Sequence, residues 1–323
     1  MNTPSTEAAH ALLIIANPAA AQGRARQRWQ QVEQILTQSQ QHFDIAWTNA
    51  PAHATALARE AAQHGVHTVA CIGGDGTVNE VVNGLMQVGD SAYAEQRPTL
   101  AVIPIGTGTD FARSLGVTRQ LPQAVQVALH GTSRSIDVGC VTCESKSGLL
   151  TRHFINVAGL GFDAEAAALL AARGKRAGKF AYFGVVFQLL RHYKNKRLQI
   201  QVGTPDGERQ FSGTFNSVIA ANARYFGSGM KIAPQADLSD GLLDVLLIGD
   251  VPPLNFIAQF LKIYRGTHLP HPQIQFMRAQ WLTVQPQPQE TDSVLLEAEG
   301  EVFGHAPARI SLQPRALNVM TAG

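Results

Sequence analysis

Three glycine-rich turns, NPAAAQGRAR (17–26), GGDGTVNE (73–80) and PIGTGTDFAR (104–113), each follow a short apolar run and precede a helical pattern. Backbone N–H groups at a helix start attract anions, and glycine lets a phosphate approach the main chain closely. One such turn is weak evidence, because an ordinary strand-to-helix connection capped by threonine has the same composition. Three on one sheet edge point to a phosphate-bearing ligand, since open α/β sheets collect ligands outside the carboxyl ends of their strands. Asp75, inside the second turn, suits a place near a metal ion, the orienting of a hydroxyl, or service to the turn alone.

The kind of phosphate site is narrowed by what is missing. There is no GxxxxGK[ST], and the first lysine of the chain is Lys146, which excludes a Walker-type P-loop in this half. GxGxxG is absent after the first strand, against a dinucleotide site, and YFGSGM (225–230) has Phe226 where a hydrolase elbow needs glycine. A triphosphate site without the P-loop lysine must be neutralised by backbone amides, magnesium and arginine.

These turns need a sheet to hold them. ALLIIANP, FDIAWT, VHTVACI and TLAVIPIG read as four short strands. Between them Ala25, Trp29, Val32 and Leu36, then an alanine-rich run ending at Gly65, then Val78, Val81, Val82 and Leu85 have helical spacing. Strand–helix alternation of this kind predicts a mainly parallel sheet with helices on both faces. From RSIDVGCV onward short β-rich runs such as HFINVAGLGF, LQIQVG, LLDVLLIG and SVLLEAEGE alternate with turns. Helices near 163–193 and 253–265 interrupt them. That pattern predicts an antiparallel β domain, with the boundary near Ile136 to Gly139.

The chain has 323 residues, enough for two domains, and a formal net charge of +2 makes no whole-chain case for nucleic acid. The start lacks a basic n-region, against a secretory signal, and no apolar run approaches the ~18 residues of a membrane span. Cys71, Cys140 and Cys143 are too few for a disulfide scaffold and fit a reducing cytoplasm, with CVTC (140–143) read as ordinary buried strand. Charge is unevenly placed: no acidic residue occurs from Ala166 to Pro205, while 173–197 is rich in lysine and arginine around an apolar centre. One reading of 173–197 is a solvated face or core. The functional one is a membrane-surface helix, with Phe180, Tyr182, Phe183, Val185, Val186 and Phe187 meeting acyl chains. His268 and His271 in HLPH read as a surface loop.

NPAAAQG, IGGDGTVNEVVNGL, PIGTGTDFARSLG, NVAGLGFDA, MKIAPQADLSDGLLDV and EGEVFGHAPARISLQPRALNVM occur in the order found in the diacylglycerol kinase catalytic-domain family. From about Leu12 to Met320 the chain resembles its bacterial YegS-like lipid kinase branch, which is similar to sphingosine and ceramide kinases. GGDGTVNE is shared with NAD kinases and is less specific than the motifs of the second half. The resemblance implies a three-layer Rossmann-like N-terminal domain (1–137, with 314–323 returning to it) and a β-sandwich-like lipid-substrate domain (138–313), with ATP in a cleft between them.

By matching position, the resemblance also implies nucleotide contacts from Thr48, from Gly74, Asp75, Gly76, Thr77, Val78, Asn79 and Glu80, and from Thr107. It implies a magnesium site at Asp237, Asp240 and Leu242, and a general base at Glu301 of EGE. Thr109 stands where the family usually has asparagine, and Glu299 where it usually has aspartate. The expectation is an ATP- and magnesium-dependent kinase acting on a lipid hydroxyl, of diacylglycerol, phosphatidylglycerol or a sphingoid base. It would be cytoplasmic, peripheral to the inner face of the membrane, without a nucleic-acid partner, and open to homodimer formation. An NAD-kinase-like small-molecule kinase and a nucleotide-binding regulatory protein are the alternatives.

Overall fold

The computed structural model describes residues 12–87, 97–106, 108–145, 148–173, 184–185, 188–189, 192–251 and 261–323. The chain divides into two compact units, Met1–Ile136 with Arg315–Gly323, and Asp137–Pro314.

In the first unit β1 (Leu12–Ala16), β2 (Asp44–Trp47), β3 (Thr68–Gly73) and β4 (Thr99–Pro104) pair in parallel in the order β2-β1-β3-β4. Val319, near the chain end, extends this sheet by pairing in parallel with Leu100. The helices are α1 (Arg24–Gln38), α2 (His53–Gln63), α3 (Asp75–Met86), the short α4 (Asp110–Ser114) and α5 (Leu121–His130). Strand side chains alternate between faces. Ile14, Ala16, Ala70, Ile72, Ala101 and Ile103 therefore meet Ala25, Val32 and Leu36 of α1 and Leu121, Val125 and Ala128 of α5. On the other face α2 and α3 bury Ala54, Ala58, Val78, Val81, Val82 and Leu85. Gly84 lets these two helices approach, since a Cβ there would collide with the carbonyl of Thr55 and lie 2.8 Å from Ala58 Cβ.

The second unit is a sandwich. Within it β5 (Thr132–Ser145, from Asp137 on) pairs antiparallel with β6 (Gly148–Phe154). β7 (Val157–Gly161) leads into α6 (Phe162–Ala172). Then follow β8 (Lys196–Thr204), β9 (Gly207–Phe215), β10 (Ser217–Ala221), β11 (Leu243–Ile248), β12 (Ile274–Ala279), β13 (Trp281–Pro286), β14 (Leu295–Ala298), β15 (Glu301–His305) and β16 (Ala308–Thr321). One face of the sandwich runs β16-β13-β8-β9, the other β12-β11-β10-β7-β14-β15. Leu198, Ile200, Val202, Leu282, Val284 and Ile310 from the first meet Leu160, Val218, Val245, Leu247 and Leu296 from the second.

The β-rich run HFINVAGLGF is strand as expected, in two pieces that meet at Ile155–Asn156. Several sequence expectations need correction. His268 is not in a solvated loop: it is 1% exposed, with Nε2 3.0 Å from the carbonyl of Ile232, and burial lowers its pKa. Within 173–197, Phe180, Tyr182, Phe183, Val186 and Phe187 lie outside the described residues. Val185, expected against acyl chains, is instead buried with Phe162, Ala166, Leu189 and Met230. Lys196 is buried too, 3.5 Å from Asp292 and over the ring of Tyr193. No helix among the described residues is long and apolar enough to cross a membrane. All three cysteines are buried and unbridged.

Candidate functional site

In the first unit β2 lies on one side of β1 while β3 and β4 lie on the other, so the strand order reverses between β1 and β3. Crevices at such switch points bind ligands in open α/β sheets. Asn17, directly after β1, bridges this point: its Nδ2 donates to Thr77 Oγ1 at 3.0 Å, and its Oδ1 accepts from Ala19 N at 2.9 Å. Thr48 closes β2 with its amide donating to the Ala16 carbonyl at 2.9 Å and its side chain buried.

The second and third glycine turns interlock. Ile105 N donates to Gly73 O at 2.9 Å and Asp75 N to Gly108 O at 3.3 Å. A Cβ on Gly73 would sit 2.6 Å from Thr77 Cβ, which excludes a side chain there, and one on Gly74 would lie 3.2 Å from Gly108 O, a tight fit. Gly76 is exposed with open space about it. The first-turn amides of α3 have no partner within the helix.

The two carboxylates of GGDGTVNE act on backbone. Asp75 Oδ2 accepts from Asp110 N at 2.9 Å and Oδ1 from Phe111 N at 3.2 Å, capping α4 from a different turn. Burial pushes its pKa up and Asp110 adds to this, while the two amides and Arg119 pull it down; the net direction is up. Glu80 Oε2 accepts from Ala54 N at 3.2 Å in the first turn of α2. Val78 is core, Asn79 is buried against Asn83, and Thr77 holds Asn17, so Gly74 and Gly76 are the members whose backbone a ligand can approach. Thr107 lies outside the described residues. Thr109 is buried and its Oγ1 accepts from Arg119 Nε at 2.8 Å, a contact that spacing did not announce.

In the second unit Glu301 opens β15 after a turn made by Glu299 (φ +56) and Gly300 (φ +79). Its side chain is 59% exposed, and Oε2 lies 3.5 Å from Arg152 Nη1 on β6. The Glu299 carboxylate accepts from Ile155 N (2.9 Å), Asn156 N (2.6 Å) and Asn156 Nδ2 (2.7 Å). Beneath the turn, Glu297 Oε2 accepts from Gly300 N at 2.7 Å. Glu297 and Asp163 are both buried over Gly159, where a Cβ would run into Asp163 and come within 3.3 Å of Glu297 Oε1. Burial first, and for Glu297 the charge of Asp163 next, raises the pKa of both.

Asp237, Asp240 and Leu242 fall in one loop before β11. Asp237 Oδ1 accepts from the amide and hydroxyl of Ser239, both at 3.0 Å; Asp240 Oδ1 accepts from Leu242 N at 3.0 Å. Arg278 reaches Asp240 Oδ2 at 3.4 Å and Asp244 Oδ1 at 3.5 Å. Among the described residues no group of three or more His, Cys, Asp or Glu side chains is arranged to hold a metal. A cation here would draw on the Asp240 carboxylate, the carbonyls of Asp237 and Leu242, and water, the hard oxygen donors that magnesium takes. Asp137 pins this loop: its Oδ2 accepts from Gly241 N at 2.7 Å and its amide donates to Leu238 O. Its carbonyl accepts from Asn222 Nδ2, which also reaches Ile155 O. Asp137, Asn222, Asn156 and Arg152 were not singled out in the sequence, although Asp137 lies in RSIDVGCV and Asn156 opens NVAGLGFDA.

Comparison with known proteins agrees with both halves. Residues 11–141 match the diacylglycerol kinase catalytic domain, and residues 156–321 the YegS C-terminal NAD kinase beta sandwich-like domain. A "Probable lipid kinase YegS-like" of Chromohalobacter salexigens is 31% identical over 81% of this chain and 78% of its own length. The "Diacylglycerol kinase" of Bacillus subtilis is 29% identical over 95% of each chain. The crystal structure of a diacylglycerol kinase from Bacillus anthracis shares the fold, with a TM-score of 0.70 at 23% identity over 97% of each chain. With one family domain matched in each half and a 31% identical relative across most of its length, the chain belongs to the diacylglycerol kinase and YegS-like lipid kinase family.

Proposed function

We propose that the protein is an ATP- and magnesium-dependent kinase that moves the γ-phosphoryl group of ATP to a lipid hydroxyl. The observation that carries this reading is the meshing of the glycine turns that follow β3 and β4, the first of them beside the β1–β3 switch point, with no lysine in that half of the chain. Such a site binds phosphate with backbone amides and leaves the remaining charge to a metal ion and arginine.

In this reading Thr48, Gly74, Gly76 and Thr77 line the nucleotide, and Asp75 and Glu80 hold the turns that present it. Glu301 accepts the proton of the acceptor hydroxyl as the phosphoryl group transfers in line, because a lipid alcohol is a poor nucleophile. Asp237, Asp240 and the Leu242 carbonyl hold a magnesium ion that steadies the loop before β11. The acceptor brings the enzyme to a membrane surface without requiring a span.

The test is transfer of label from γ-labelled ATP to vesicles of total bacterial lipid in magnesium buffer. A labelled lipid that disappears in Glu301→Ala supports the reading, and mass analysis of the product names the acceptor. No labelled lipid at any magnesium concentration would sink it; label on NAD alone would mean an NAD-kinase-like enzyme, and ATP binding without transfer a regulatory protein.

A further inference from the structure

We propose that Arg152 is a positioning residue for Glu301, holding its carboxylate from the side while Glu299 holds its backbone. This rests on the reading of Glu301 as the base. Glu301 stands at the start of a strand, directly after two residues with positive φ. A turn of that kind does not fix a long, exposed side chain by itself, and a base must hold its oxygen within hydrogen-bond reach of the proton it takes.

Two braces are built around it, both inside the second unit. Arg152 comes from β6, in the β5–β6 hairpin, whereas Glu301 belongs to β15 at the edge of the opposite sheet. The guanidinium lies 3.5 Å from Glu301 Oε2 and 5.4 Å from the centroid of Phe303, two residues further along β15. It thus touches two neighbouring side chains of the strand it braces, one by charge and one by its flat face. Cys143, on β5 of the same hairpin, packs so closely on Gly304 that a Cβ there would collide with its sulfur, which seats the hairpin against β15.

The second brace acts on the main chain. Glu299 spends its carboxylate on two amides and one side-chain amide at the β6–β7 break, with Glu299 N returning to Val157 O at 3.0 Å. Charge-assisted bonds of this length are about twice as strong as neutral ones, and they hold Glu299 in a backbone region that a residue with a Cβ seldom occupies. The side chain is one methylene longer than the aspartate usual in the family, and its length is taken up in reaching Ile155 and Asn156.

An exposed ion pair contributes little to stability, so Arg152 is expected to matter for rate and not for folding. Arg152→Ala should lower kcat for lipid phosphorylation about 10–100-fold, the range that misplacing a reacting group by an ångström produces, with KM for ATP within about twofold. Arg152→Lys, which keeps the charge, should recover a substantial part. Glu299→Gln, which keeps the size but weakens the three bonds, should lower kcat likewise, and melting curves of each variant report whether the fold is intact. Unchanged kcat in both Arg152→Ala and Glu299→Gln, beside an inactive Glu301→Gln, would overturn the brace while leaving the base standing. A loss in Arg152→Ala that appears wholly in KM for ATP would also overturn it, since the arginine would then be a nucleotide ligand. An active Glu301→Gln would instead remove the base, and the brace with it.

Discussion

Replacing Asp75 separates a turn residue from a metal ligand. Its two carboxylate oxygens take the amides of Asp110 and Phe111 at 2.9 and 3.2 Å, which open α4. Loss of a capping side chain costs about 0.5–2 kcal/mol, and removing a negative charge from a helix start about 0.3–1 kcal/mol more. Against this, Asp75→Ala relieves the burial of a carboxylate whose pKa is raised chiefly by desolvation. The expected net loss is about 1–2 kcal/mol. Asp75→Asn keeps one acceptor but sets its amide nitrogen against the second backbone N–H, a loss that dropping the buried charge offsets in part, so it should cost about 1 kcal/mol, less than Asp75→Ala. Urea unfolding by tryptophan fluorescence reads this, because Trp29 and Trp47 pack edge to face at 5.7 Å inside the first unit. If Asp75→Ala leaves the urea midpoint unmoved, the cap is not what the residue does. If Asp75→Asn abolishes transfer at full stability, the charge itself is in use, and a cation or hydroxyl role replaces the cap.

Gly84→Ala should drive α2 and α3 apart, because the new methyl meets backbone of Thr55 and the Ala58 methyl. A loss of about 1–3 kcal/mol in the same urea assay is expected, and an unchanged midpoint would show that the helices yield. Asp244 has its pKa raised to about 6, first by burial and then by Asp240, against the pull of Arg278. The folded state therefore holds a proton that the unfolded chain has released, so its contribution is present below about pH 4 and lost as pH rises through about 6. The stability difference between parent and Asp244→Asn should drift by up to about 3 kcal/mol across that window; parallel pH curves for the two proteins would contradict the raised pKa.

Local periodicity made the first unit readable. Ala25, Val32 and Leu36, or Val78, Val81, Val82 and Leu85, lie on helical stripes because each helix covers one face of a buried sheet. Apolar strands bounded by glycine turns are equally local signals. In 173–197 two readings, lipid surface and core, stood side by side because an apolar run reads the same in either setting. Val185 was decided by Phe162 and Met230, which arrive from elsewhere in the chain. His268 was misread for the same reason, since the partner that draws its ring inside is a carbonyl 36 residues away.

What composition could not reveal is how polar residues far apart share one task. Asp75 offered three roles in sequence, and the two amides its carboxylate takes belong to residues 35 and 36 positions on. Glu299 showed in sequence only as a departure from the family's aspartate, and the amides its carboxylate takes at the Ile155–Asn156 break lie 144 and 143 residues earlier. Arg152 had no motif to mark it: it lies in an ordinary β-hairpin, and only the fold of the sandwich brings it to Glu301. Motifs record groups whose neighbours in space are also neighbours in sequence. The residues that meet Glu301 are recruited across sheets, so their identity follows from the packing of the second unit and is open to the substitutions that test their role.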